Sequence, residues 1–151
     1  MVKNISINKI WEVLHGIPDP EIPVVSIVDL GIVRDVKYSN DNYNIIITPT
    51  YSGCPALSSI KDEIRQKLTL LSIENHKIQT MLSPPWTTDW MSDEVKSKLK
   101  EAGISPPSDD IVCPQCDSLE VKVISNFGST ACKSFYKCLN CLEPFHHFKR
   151  F

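Results

Sequence analysis

The sequence predicts an α+β protein, in which a small α/β sandwich is followed by a short all-β module built around four cysteines. Three segments place apolar residues at helical spacing, and between them lie runs of β-branched residues bounded by turn-forming residues. Beyond residue 110, two Cys-x-x-Cys pairs flank short β-like runs. With 151 residues, the chain can form a domain of about a hundred residues and a small appendage.

The first half of the sandwich should hold one helix and a hairpin. Ser6 can cap a helix that ends at Gly16, because the apolar residues between them recur at helical spacing. Two β-branched runs, 32–38 and 43–48, flank a polar turn around Asn40, which is typical of a hairpin.

The second half predicts a further helix, strand and helix. Pro55 suits the first position of an amphipathic helix that runs to Leu71, because its missing N–H costs nothing there. A strand is predicted over 76–82, and Ser92 should cap a last helix that ends near Gly103. The element order α, β, β, α, β, α favours helices packed on a mostly three-stranded sheet.

The prolines at 106 and 107, in a Ser-Pro-Pro-Ser segment, mark a linker. We therefore predict a first domain over 1–104, a linker over 105–110 and a second domain over 111–151.

The second domain carries the strongest chemical signal, the pairs Cys113/Cys116 and Cys138/Cys141 separated by 21 residues. Two such pairs on facing hairpins can complete a tetrahedral zinc site of the zinc-ribbon type. Four protein ligands leave no open position, so the ion should be structural, and a segment of this size should depend on it for folding. Iron also suits tetrahedral sulfur, and spacing alone does not exclude it. His146 and His147 are alternative ligands, but packing roles are favoured for them.

Two other cysteines are candidate working residues. Cys54 lies between a strand and a helix, where the positive end of the helix dipole would stabilise a thiolate. An ordinary small residue at a crowded turn is an equal alternative. Cys132 is followed by Lys133, whose charge would favour a thiolate. The alternative is again an ordinary small buried residue. Three acidic residues in nearby loops, Asp19, Glu21 and Asp29, could bind metal, but turn and capping roles are commoner for such acids.

Composition and charge limit the function classes. A net charge of −2, with five acidic and five basic side chains over 109–151, gives no electrostatic reason to expect nucleic acid. No apolar run approaches the roughly 18 residues of a membrane span, and no secretory signal is evident, so we expect a cytoplasmic protein with reduced cysteines rather than disulfides.

Several segments resemble known families. Asp19-Pro-Glu-Ile-Pro23, Ile27–Val33 and Thr48–Pro55 resemble the small iron–sulfur-cluster assembly domain of the SufT type. Ser83–Trp90, with the ribbon and its segment Phe127–Lys133, resembles one branch, the PaaD (or PaaJ) family. Members of that branch are accessory subunits encoded with the multicomponent phenylacetyl-CoA epoxidase of aerobic phenylacetate degradation.

The resemblance implies a role other than ring oxidation. In that pathway a diiron oxygenase epoxidises the ring, and a separate reductase carries flavin and an iron–sulfur cluster. This sequence lacks the helical Glu-x-x-His pairs of a diiron bundle and any Gly-rich dinucleotide fingerprint. Similar domains act in cluster assembly, where the cysteine matching Cys54 is the reactive one. The resemblance thus implies that Cys54 is the working sulfur, with Asp19, Glu21 and Asp29 shaping its pocket.

The resulting hypothesis is a non-enzymatic maturation factor that helps to insert iron or an iron–sulfur cluster into the epoxidase system, above all into its reductase. Cys54, with Cys132 as a second candidate, would hold the iron or cluster transiently. The expected partners are reductase or oxygenase subunits, and a homodimer is left open. The alternative is a non-catalytic structural subunit of the oxygenase. An enzyme with Cys54 as nucleophile is disfavoured, because no histidine lies near it in the sequence.

Overall fold

A computed structural model describes residues 4–51 and 54–151. Contacts divide the chain into two compact units, Met1–Trp86 and Thr87–Phe151. Within the described residues, the first unit contains two α-helices and a three-stranded sheet, and the second contains one α-helix and a four-stranded sheet. The α+β class predicted from the sequence is confirmed.

The first unit begins with helix α1, Ile7–His15. The Ser6 side chain accepts a hydrogen bond from the backbone N–H of Lys9, so Ser6 caps the helix as the sequence predicts, and Gly16 ends it. Ile10 and Leu14 are fully buried, which turns the apolar face of α1 toward the core.

The sheet of this unit consists of strands β1, Val33–Ser39, β2, Asn42–Ile47, and β3, His76–Thr80. The first two strands are antiparallel and joined by a tight turn, whereas β2 and β3 are parallel. Asn40 and Asp41 both adopt left-handed backbone conformations, with φ of 51° and 57°. Asn and Asp tolerate this conformation, which two-residue hairpin turns require.

Helix α2, Ala56–Leu70, connects β2 to β3. Its buried residues Ala56, Ile60, Ile64 and Leu68 follow the predicted helical spacing. After β3, Trp86 is buried and its indole N–H donates a 2.6 Å hydrogen bond to the carbonyl oxygen of Leu30. This bond ties the end of the first unit to the loop that precedes β1.

The second unit begins with a short 3₁₀ turn, Thr88–Trp90, and helix α3, Asp93–Glu101, which Ser92 caps. Its strands follow in chain order as β4, Ile104–Ser105, β5, Val121–Ser125, β6, Lys133–Cys138, and β7, Pro144–Phe148. The order in the sheet is β4-β7-β6-β5, with antiparallel pairs except between β4 and β7.

The observed grouping differs from the predicted boundaries of 1–104, 105–110 and 111–151. Contacts group α3 and β4 with the ribbon, because Ile104 and Ser105 pair with His146 and His147 of β7. Ser105 is buried, and its hydroxyl lies 3.3 Å from Nδ1 of His147, so the residue predicted to open the linker belongs to a sheet. Over the two ranges that the structure describes, no helix is both long and apolar enough to span a bilayer.

Candidate metal centre and reactive cysteines

The four cysteines of the two Cys-x-x-Cys pairs converge on one point. All four Sγ atoms lie within 4.8 Å of one another. Sγ of Cys113 lies 3.6 Å from that of Cys141, and Sγ of Cys116 lies 3.5 Å from that of Cys138. All six cysteines of the chain are thiols rather than disulfides. The clustering predicted from the sequence spacing is therefore present.

The two pairs are held by matching backbone turns. The N–H of Cys113 donates to the carbonyl of Ser118 at 3.0 Å, and the N–H of Cys138 donates to that of Glu143 at 2.9 Å. Each bond spans five residues and closes a tight turn around its pair. In each turn the residue after the second cysteine is left-handed, with φ of 60° for Asp117 and 69° for Leu142. This repetition brings the two pairs together with related geometry.

The sulfur arrangement fits a tetrahedral ion. Four sulfurs about 2.3 Å from a central zinc ion lie about 3.8 Å from one another, close to the separations observed here. Cys113 and Cys138 are fully buried, whereas Cys116 and Cys141 are partly exposed. The N–H of Cys141 donates to Sγ of Cys138 at 3.4 Å, a bond that stabilises a thiolate ligand. These residues can hold zinc, and a complete shell of four sulfurs gives it a structural role.

The electrostatics of the cluster also call for a cation. The amide of Asn140 donates to Sγ of Cys116, and this bond, with a backbone bond at Ser118, lowers the pKa of the Cys116 thiol to about 6. The backbone N–H of Glu143 favours the Cys141 thiolate as well. Burial and the three neighbouring sulfurs nevertheless outweigh it and raise the pKa of Cys141 to about 12. Four thiolates cannot coexist at this distance unless a cation offsets their charge.

The two histidines of β7 have other partners. His146 packs beside the ring of Phe135, with 5.0 Å between ring centroids, and its Nε2 accepts a hydrogen bond from the N–H of Ser129. His147 is buried beside Ser105, and burial lowers its pKa. Burial, with the charge of Lys133, also lowers the pKa of His146. Both rings therefore serve packing within the ribbon sheet.

Cys54 stands immediately before α2. The helix begins with Pro55 at its N-cap, which provides no side-chain hydrogen bond to the first turn. The carbonyl of Cys54 accepts a 3.3 Å bond from the N–H of Leu57, and the cysteine is partly exposed. The structure thus presents a thiol at the amino end of a helix of 15 residues. Ser52 and Gly53, which complete the motif, lie outside the described residues.

Two of the three acidic residues predicted beside Cys54, Asp19 and Asp29, hold the backbone of their own loop. The backbone N–H of Glu21 and that of Ile22 each donate a 2.9 Å hydrogen bond to the buried carboxylate of Asp19. Asp29 accepts from the N–H of Ser26, whose hydroxyl accepts in return from the N–H of Asp29. These are the turn and capping roles that short acids commonly take. A role for Asp19, Glu21 or Asp29 in a pocket at Cys54 stays a prediction.

Cys132 directly precedes β6, in the other unit. It is 3% exposed, and its Sγ lies 3.0 Å from the hydroxyl of Thr130. Its carbonyl accepts a 2.9 Å bond from the N–H of Lys149. The thiol is thus embedded in the loop between β5 and β6, and its participation with Cys54 stays a prediction.

The sequence did not predict the roles of two ribbon residues, Asn140 and Gly128. Asn140 supports the metal site through Cys116, and its position inside the second Cys-x-x-Cys pair is the only signal that could have drawn attention to it. Gly128 lies under the ring of His146, where an added Cβ would come within 2.5 Å of the ring atom Cδ2. No local pattern reveals that contact, because the two residues are distant in sequence.

The two units of the chain match two different family models. The family model described as iron–sulfur cluster assembly protein matches residues 1–79, and the one described as PaaD zinc beta ribbon domain matches residues 99–149. The ribbon match includes all four clustered cysteines, so the cluster is a zinc-ribbon metal site. The first match includes Cys54 and the acidic loop.

Individual relatives support the same family assignment. A putative 1,2-phenylacetyl-CoA epoxidase component of Escherichia coli (strain K12) is 44% identical over 152 residues, which cover 95% of this chain and 92% of that protein. The iron–sulfur protein maturation auxiliary factor YitW of Bacillus subtilis (strain 168) is 38% identical over 88 residues, or 57% of this chain and 85% of that protein.

A solved structure resembles the first unit. A crystal structure of a domain of unknown function, DUF59, from Bacillus anthracis aligns with a TM-score of 0.56 and 33% identity. The alignment covers 61% of this chain and 89% of that one. From the family matches and the near full-length relative, the chain belongs to the iron–sulfur cluster assembly protein family, in the branch that carries a PaaD zinc ribbon.

Proposed function

We propose that this chain is a non-enzymatic maturation factor of a phenylacetyl-CoA epoxidase system and that it helps to insert iron or an iron–sulfur cluster into a client, the reductase. The family of the first unit and the names of its relatives support a role in cluster assembly. The near full-length relative named as a component of the epoxidase supports the choice of system. Iron or the cluster is cargo here, whereas zinc is a resident structural ion.

The observation that carries the proposal is the thiol of Cys54 at the amino end of α2. A sulfur in this place is partly exposed, so cargo iron can reach it. Pro55 itself provides no side-chain cap to the first turn of α2, and backbone N–H groups at a helix amino end attract anionic groups such as thiolate or sulfide. The site therefore suits transient binding of an iron–sulfur unit.

Covalent catalysis by Cys54 is less well supported. In many cysteine enzymes, a histidine within hydrogen-bonding reach of the nucleophilic thiol acts as the general base. In the first unit, Nε2 of His15 lies 3.0 Å from the carboxylate of Asp29, and Nδ1 of His76 lies 3.1 Å from the carbonyl oxygen of Ile73. Both histidines are thus engaged elsewhere, which favours a carrier role for the thiol.

The test is a Cys54→Ser variant produced together with the reductase. Because serine is a poor ligand for iron, the co-produced reductase should contain roughly a tenth or less of the iron and acid-labile sulfide found with the unchanged chain. The zinc content and circular dichroism of the variant should stay the same. Ser58→Ala, at an exposed position in the first turn of the same helix, is the matched control and should leave the reductase fully loaded. Full loading with Cys54→Ser would refute the proposal.

The second candidate function is a structural subunit of the oxygenase, which the name of the Escherichia coli relative favours. A structural subunit would co-purify with the oxygenase at a fixed stoichiometry, whereas a maturation factor would not. It would also be indifferent to Cys54→Ser. Size-exclusion chromatography of the co-produced proteins, with light scattering to determine the complex mass, distinguishes the two.

A further inference from the structure

The turns that hold the metal site carry three large apolar side chains on the surface. Leu119, Leu139 and Leu142 are 65%, 53% and 62% exposed. The N–H of Leu139 donates a 2.8 Å hydrogen bond to the carbonyl of Glu120. The segment after the first cysteine pair therefore lies beside the segment that contains the second pair. Exposed leucines carried by adjacent segments suggest an interaction site.

Leu142 is held in an unfavourable conformation for its residue type. It takes the left-handed conformation that Asp117 takes in the matching turn. Asp tolerates that conformation because its short polar side chain can bond locally, whereas a leucine gains nothing from it. The left-handed conformation belongs to the cysteine turn, but the leucine side chain adds nothing to that turn and, at 62% exposure, little to the core. Backbone strain of this kind is typical of sites with a function other than folding.

The same turns are negatively charged. Segments 113–121 and 138–144 contain Asp117, Glu120 and Glu143 and no lysine or arginine. Lys100 of α3 pairs with Asp117 at 2.5 Å, which offsets one of these charges. With a divalent ion, four thiolate ligands leave a net charge of about −2 at the centre of this surface. All five basic side chains of residues 109–151 lie outside both segments, but two of them, Lys122 and Lys137, directly adjoin the segments as a cross-strand pair of β5 and β6. The negative charge of this surface therefore comes from the metal centre together with Glu120 and Glu143.

We infer that the metal-site turns form a docking surface for a protein segment in which apolar side chains are flanked by lysine or arginine. Leu119, Leu139 and Leu142 supply the apolar contact, and the acidic groups with the metal centre attract the basic flanks. This role goes beyond the cargo role of Cys54 and does not require that thiol.

The experiment uses the zinc-loaded full chain with isotope-labelled leucine methyl groups. One synthetic peptide carries leucines flanked by lysines, and a matched peptide carries glutamate in place of each lysine. The lysine peptide should shift the methyl signals of Leu119, Leu139 and Leu142 saturably, and added salt should weaken its binding. The glutamate peptide should bind at least roughly tenfold more weakly.

Variants separate docking from folding. Leu142→Gly relieves the backbone strain, so it should retain zinc as well as the unchanged chain does, yet bind the lysine peptide at least roughly fivefold more weakly. Leu70→Ala, at an exposed leucine of α2, and Cys54→Ser should bind it normally. Equal binding of the two peptides, shifts confined to other methyl groups, or unchanged binding by Leu142→Gly would each overturn the inference.

Discussion

Gly128 shows how a single residue controls the ribbon loop between β5 and β6. An alanine methyl group there would lie 2.5 Å from Cδ2 of His146 and 3.3 Å from the carbonyl oxygen of Lys133. The ring cannot move away without losing its contact with Phe135 and its hydrogen bond from Ser129. We expect Gly128→Ala to lower the free energy of unfolding of the second unit by about 1–3 kcal/mol. Denaturant unfolding of the zinc-loaded protein measures this change.

A double-mutant cycle identifies the cause. If the clash with the ring is responsible, His146→Ala in the Gly128→Ala background should recover part of the lost stability, so the two changes should not add. Additive losses would show that the methyl group meets the backbone at Lys133 instead. Gly16→Ala serves as a comparison, because its added Cβ would come no closer than 3.4 Å to another heavy atom.

For individual residues, the sequence predicted those features of the structure that depend on the spacing of nearby residues. The four clustered cysteines follow from two Cys-x-x-Cys pairs, because two intervening residues suffice to turn both sulfurs inward. The Ser6 and Ser92 caps follow from local rules as well. The contact of Gly128 with His146 and the bond from Asn140 to Cys116 depend on where the sheet places distant residues, which no local rule gives.

At the scale of elements, the helices and the first hairpin follow from periodicity, whereas two strands of the ribbon sheet do not. β7 has the sequence Pro-Phe-His-His-Phe, and β4 has only two residues, so neither shows a recognisable alternation. Both are stabilised by pairing across the chain, since β7 lies between β4 and β6. Because β4 pairs with β7, contacts place the boundary between the units after Trp86 rather than in the predicted linker.

The paired cysteine turns should make zinc binding strongly dependent on pH. Zinc is held by thiolates, so protons compete with it and its affinity falls as the pH falls. Without the ion, the pKa of Cys116 is lowered to about 6 and that of Cys141 is raised to about 12, so at pH 7 binding must displace the proton of Cys141. We expect zinc release, followed with a chromogenic chelator, to rise as the pH falls from 8 to 5. Asn140→Ala, which removes a bond that stabilises the Cys116 thiolate, should release zinc at a higher pH, and an unchanged profile would contradict this role.

At the scale of the whole molecule, the two units differ in the kind of core that stabilises each of them. The first has a core of fully buried aliphatic side chains, among them Ile10, Ile45, Ile64 and Leu68. The apolar cluster around the metal site consists of eight residues, Cys113, Cys138, Phe145, Ile111, Cys116, Val121, Tyr136 and Cys141, and four of these are the metal-binding cysteines. Half of this small core therefore depends on the ion, so zinc should contribute much of the folding free energy there.

Removal of zinc should consequently unfold the surroundings of the metal site and spare the first unit. With a strong chelator, amide hydrogen exchange of β6 and β7 should accelerate by orders of magnitude, because the pairing of these strands depends on the cysteine turns. Exchange of β1 to β3 should stay within about threefold, because the four cysteines that cluster in the described part of the chain all lie in the other unit. Cys116→Ser should reproduce the effect of the chelator, whereas Cys132→Ser should retain zinc and its normal protection. If β1 to β3 lost protection together with β6 and β7, the chain would be one cooperative unit, and the ion would hold together more than the ribbon.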